Sequence, residues 1–314
     1  MNHDRFTAIR LKGINLKNNA KISIIQGQFY PQYFILPAFL LYAALFILPS
    51  LLGIVYSLTD WNIYRNAINF IGLDNFKEIL ATSSYRLIIG NTFFFALVTT
   101  FFKILIGLIL ALVLNENLRT RHVLRTIFYL PVVMSPLVIG LVFISIFNPT
   151  RGLLNQALRG IGLDSFTRQW LADAGTAMPV VMGVEIWRLS GYCMVIFLAG
   201  LQLIPQNLYE VASIDGAGAW HSFMNITLPF LRPSITMNLI LNIIWGLKAF
   251  DIIFILTKGG PGHRSEVISV SVFDEYSSGR YGFATALGVV IFVLTSVIAF
   301  VVLRMLNKRE VDFV

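Results

Sequence analysis

Five ionisable side chains interrupt the long apolar stretches of this chain: Lys103, Glu185, Arg188, Lys248 and Asp251. Their spacing allows two kinds of chemistry. Glu185 and Arg188 are three residues apart, as are Lys248 and Asp251, so each pair can neutralise itself on one helical face. The same groups can instead face a wet path, the usual position for charge held inside a membrane. Trp187 and Tyr192 accompany the first pair, and Asn242 and Trp245 the second, which sets flat rings beside hydrogen-bonding groups. A saccharide offers C–H patches to such rings and hydroxyls to such polar groups. Arg188 and Lys248 would add charge-assisted bonds to a uronate or a phosphate, which tilts this reading toward an anionic ligand.

Other chemistries lack their parts. His3, His122, His221 and His263 are scattered, without the spacing of metal ligands. Cys193 is the single cysteine, so no disulfide or thiolate cluster forms within one chain. The segment "TKGGPG" has no lysine after its glycines, and no phosphate-binding G-x-x-x-x-G-K-[ST] occurs anywhere. No nucleophile, base and metal set stands beside an apolar run, which argues against a membrane enzyme.

A second polar stretch, "EVASIDGAGAWHSFMNITLP" at 210–229, separates two apolar runs. Pro205 suits a first helical turn, and Asn207 with Glu210 has capping-box spacing, so a short helix is expected over about 206–215. Gly216 and Gly218 then allow a corner, and Pro229 lets the chain leave in a new direction. The small residues Ala212, Ser213, Gly216, Ala217 and Gly218 fit either of two settings. They can enter a groove on another protein, or the helix can lie on lipid headgroups.

The elements that position these groups follow from composition. With 56 % hydrophobic and 13 % charged residues and a mean hydropathy of +0.74, the chain reads as an all-α integral membrane protein. Six membrane helices are expected near 34–58, 88–114, 124–147, 177–203, 231–256 and 283–306, and the short alternating segments of a β-barrel are missing. The charge of +8 is spread over loops and ends rather than one face, against a nucleic-acid partner. Placing both termini in the cytoplasm puts twelve basic residues inside and nine in the longer outer loops. Residues 1–33 then form a retained cytoplasmic tail, 34–306 one membrane domain with a loop at about 205–229, and 307–314 a second tail. Pro37, Pro49, Pro131 and Pro136 lie inside spans, either as fixed kinks or as hinges.

Glu210, Ala212 and Gly216, followed after nine residues by Ile226, Leu228 and Pro229, resemble the "EAA…G…I-x-L-P" signature of permease subunits of binding-protein-dependent ABC importers. Val211 stands where that pattern has its first alanine. "LRTIFYLPVVMSPLVIGLVFISIFNPTRGLLN", "LQLIPQNLYEVASIDGAG" and "LTKGGPGHRSEVISVSVFDEYSSGRYGFATALGVVIF" are similar to the maltose and glycerol-3-phosphate branch, over about nine-tenths of the chain.

The resemblance implies a multi-pass subunit of the bacterial cytoplasmic membrane, in lipid, that is half of an import pore for a carbohydrate. It further implies a second related permease, two ATPase subunits that bind the ATP and magnesium, and an extracytoplasmic solute-binding protein. The chain itself would need no cofactor and would not be an enzyme. Glu210, Ala212, Asp215, Gly216 and Gly218 take the ATPase-coupling role. Trp187, Arg188, Tyr192, Asn242, Trp245 and Lys248 take the substrate path. A self-sufficient secondary transporter or channel is the competing reading, for which only Glu185 and Asp251 offer an ion-coupling carboxylate.

Overall fold

The computed structural model describes residues 32–307 except Asn66. Both expected terminal tails therefore lie almost wholly outside the described residues. No β-strand occurs among those described, only an isolated bridge between Thr59 and Phe70.

The chain divides into two compact units, 1–52 and 53–314. Helix α1, Leu36–Tyr56, is apolar throughout, with a mean hydropathy of 2.4. Its turns widen to a π-helix over Ala43–Ile47, just ahead of Pro49. A proline has no N–H and its ring crowds the carbonyl four residues back, so a wider turn is a local remedy. The same device recurs ahead of Pro229, where Phe223–Thr227 is a π-helix.

The second unit is built on α3 (Ser83–Asn115), α7 (Ala177–Gln202), α10 (Arg232–Leu247) and α13 (Tyr281–Asn307). Between them lie α2 (Asp74–Ala81), α4 (Arg121–Val133), α5 (Pro136–Ile146), α6 (Leu153–Gly160), α8 (Gln206–Ile214), α9 (Ala219–Phe230), α11 (Asp251–Thr257) and α12 (Ile268–Ser277). α7 is the most enclosed of the four unbroken candidate spans, 56 % buried over its apolar window against 17 % for α13, so it is the central helix.

Two expected spans are broken. The third splits into α4 and α5, bent by 96°. Pro131 stays inside α4; the break falls at Ser135, held extended (φ −59°, ψ 134°) because the following Pro136 crowds the helical conformation. The fifth departs twice from a continuous 231–256. The chain turns by 63° at Leu231, between α9 and α10, so Pro229 lies inside α9 and the change of direction comes just before Pro233. It then leaves helical geometry again at Phe250 (φ −137°, ψ −63°), between α10 and α11. Among the described residues four candidate spans are thus unbroken, and six are reached by pairing the bent helices.

One edge of this unit is pinned by polar contacts. Arg280 donates to Glu78 at 2.6 Å, lies 3.2 Å from Glu275 and stacks 4.1 Å above the Phe283 ring, which ties α2, α12 and α13 together.

Candidate functional site

α7 carries Glu185, Arg188, Leu189 and Tyr192 at spacings of three and four, one stripe of a helix. The stripe faces an open cavity of about 430 Å³, lined on its other sides by Tyr129 of α4, by Trp245 of α10 and by Lys248 to Ile252 at the break between α10 and α11. The approach of α4 depends on Gly191. A Cβ there would sit 2.1 Å from the Phe128 carbonyl oxygen, so only glycine lets the two backbones close and bring Tyr129 beside Tyr192.

The two charged pairs differ. Arg188 grips Glu185 in a two-pronged contact, Nε to Oε2 at 3.0 Å and Nη2 to Oε1 at 3.1 Å, the self-neutralising arrangement. Lys248 and Asp251 form no such pair, contrary to their spacing, because the chain is not one helix there. Lys248 caps the C-terminal end of α10 and Asp251 opens α11, so each charge is complemented by its own helix end. All four line the cavity, and their formal charges cancel.

Aromatic placement follows helical phase. The Tyr192 and Trp245 rings are 4.9 Å apart on the cavity wall. Trp187 falls on another face of α7; it is 48 % exposed and packs edge-on against Phe143, outside the lining. Asn242 is fully buried, one turn short of the cavity, with its amide donating to Asn238 O at 2.8 Å and to Cys193 Sγ at 3.2 Å. Sequence reasoning missed Tyr129 and Phe250 as lining residues. Tyr129 had a local sign, an aromatic two residues before Pro131 in a span that holds two prolines; Phe250 had none.

The short stretch between α7 and α10 is a second candidate. α8 begins at Gln206 with Pro205 as N-cap, and no side chain caps it, so the expected Asn207–Glu210 capping box does not form. Its C-terminus is a Schellman motif. Ala217 N–H bonds Ala212 O at 2.8 Å, Gly216 N–H bonds Ser213 O at 3.1 Å, and Gly216 takes φ +79°. Gly218 has φ −71° and open space where a Cβ would stand, so its backbone makes no demand for glycine.

A groove of about 520 Å³ runs between α8 and α9. Ala212, Asp215, Gly216 and Gly218 line it, with Val211 at its edge, while Glu210 is exposed outside it. The Tyr209 hydroxyl and Thr227 Oγ1, 2.8 Å apart, tie the two helices. Ile214 (84 % exposed) and Trp220 (70 %) stand out as large apolar side chains in the open.

Known proteins resolve what kind of molecule carries these features. The family model for the binding-protein-dependent transport system inner membrane component matches residues 103–311. This chain belongs to that family. It is 30 % identical over 288 residues, 91 % of this chain and 98 % of that protein, to the multiple sugar-binding transport system permease protein MsmF of Streptococcus mutans. It is 35 % identical over 241 residues, 77 % of this chain and 81 % of that protein, to the trehalose/maltose transport system permease protein MalF of Thermococcus litoralis. A crystal structure of a bacterial ABC transporter involved in import of the acidic polysaccharide alginate shares the fold, with a TM-score of 0.78 at 24 % identity over 94 % of this chain and 99 % of that one. As a family member the chain is an inner-membrane permease component with several membrane-spanning helices.

Proposed function

We propose that the chain is one half of the translocation pore of an ATP-driven carbohydrate importer, with the Tyr192–Trp245 cavity as the compartment its cargo crosses. The observation that carries this reading is the cavity wall itself: two rings tilted by 59° to one another beside four charged groups that sum to zero, where the central helix α7 meets the break between α10 and α11. That mixture suits a polyhydroxylated molecule, whose ring faces stack and whose hydroxyls bond. The sugar names of the relatives support it.

The remaining assignments follow from the same reading. α8 and its Schellman turn dock on an ATPase subunit, through the small-residue groove and the exposed Ile214. Both termini then face the cytoplasm, a second related permease completes the pore, two ATPase subunits bind ATP and magnesium, and a solute-binding protein delivers cargo outside. Arg188 is held by Glu185, so an anionic group on the cargo is met first by Lys248, whose ammonium no carboxylate among the described residues contacts.

The test uses the reconstituted complex and two probes of equal length, an oligo-uronate and a neutral malto-oligosaccharide. Trp245→Ala is expected to lower stimulated transport of either about tenfold, since the Trp245 ring, 39 % exposed, offers a sugar a stacking face worth on the order of 1.5 kcal/mol. Lys248→Met should weaken only the uronate. Transport of both probes unchanged by Trp245→Ala would sink the cavity assignment.

A further inference from the structure

Lys103 of α3 is 0 % exposed, and its Nζ has no hydrogen-bond partner among the described residues. An isolated ammonium in an apolar interior is costly, and charges held within a membrane protein pair with one another or face water. Its neighbours are set by how α3 and α7 pack. Phe95 shares a core cluster with Val181 and Val184, whereas Ala111 and Leu114 share another with Phe197 and Leu201. The two helices therefore run parallel, and Lys103 is level with Leu189, one turn past Glu185. Long helical side chains lean toward their own N-terminus, here the level of Glu185.

Glu185 has one cation in contact, on the cavity side, and the Lys103 side chain behind it in the seam between α3, α7 and α10. The same seam holds Thr99 and Thr100 hydroxyls and Asn238 and Asn242 amide oxygens that have no hydrogen-bond partner among the described residues.

We propose that Lys103 is the second counter-ion of Glu185, a positioning residue that holds this carboxylate when cargo in the cavity draws the Arg188 guanidinium away. Without it, each engagement of Arg188 would leave a buried carboxylate unpaired, the costly outcome of breaking a buried ion pair. With it, Arg188 is released to bond hydroxyls or an acidic group, and the new Glu185–Lys103 contact draws α3 onto α7. Only the word cargo rests on the function proposed above; the exchange of counter-ions stands on the packing alone.

The experiment needs no cargo. The importer complex is purified in detergent and melted with Arg188→Met, Lys103→Met, both together, and both with Glu185→Gln. Each single variant is expected to move Tm by a few degrees, because Glu185 keeps one cation. The double variant should fall about 10 °C below the sum of the singles. Adding Glu185→Gln should restore it, and Lys103→Arg in the Arg188→Met background should stay near Arg188→Met alone. Additive shifts would overturn the proposal, as would a double variant no less stable than Arg188→Met. If the double variant does not assemble, assembly of the triple variant gives the same support, and failure of both overturns it. Failure here leaves the cavity assignment standing, since that is read from transport by Trp245→Ala.

Discussion

At the scale of single residues, backbone conformation separates two glycines that look equivalent in sequence. Gly216 closes α8 at φ +79°, where a Cβ costs about 1 kcal/mol, whereas Gly218 is extended with free space around it. Gly216→Ala is therefore expected to fray the end of α8 and speed exchange of the Ala217 amide about fivefold, and Gly218→Ala to leave it unchanged; hydrogen exchange on the purified complex reads both. The phase of a helix makes a similar distinction among aromatics. Trp187 is one residue from Arg188, yet 100° of rotation sends it to Phe143 instead of the cavity. Spacing along the chain showed that Glu185 and Arg188 share a face, but it gave the same answer for Lys248 and Asp251, where it failed. A three-residue offset means proximity only if the helix is unbroken, and Phe250 breaks it.

At the scale of elements, existence was legible in sequence and continuity was not. Each of the six long apolar runs contains helix, because about 20 apolar residues in lipid must satisfy their backbone internally. Whether such a run bends depends on whether the residue before a proline stays helical. Pro131 is absorbed within α4, while Pro136 sits at a 96° break only five residues on. One end of the bundle depends on a contact between elements far apart in sequence, the Arg280 hub. Arg280→Ala removes two partly exposed ion pairs and a stacked cation, together about 1–2 kcal/mol. A drop of a few degrees in the Tm of the complex is expected. No drop at all would show that α2, α12 and α13 hold together without the hub.

At the scale of the whole molecule, the proposed function depends on chains beyond this one. The proposed pore half has no phosphate-binding loop, so uptake is expected to vanish when this chain is reconstituted alone and to require nucleotide when its partners are present. Uptake by this chain alone, in nucleotide-free vesicles, would favour a self-sufficient transporter. What the sequence determined by itself was the solvent of the chain and its kinship. Apolar run length fixes a membrane setting through transfer free energy, and the residues around Glu210 and Gly216 carry a recognisable pattern whatever their three-dimensional neighbours. The tertiary structure decided which charges meet. Arg188 is taken by Glu185, Lys248 and Asp251 are separated by a helix break, and Lys103 is buried behind the cavity wall. Those outcomes follow from crossing helices and broken spans, long-range arrangements that local spacing does not encode.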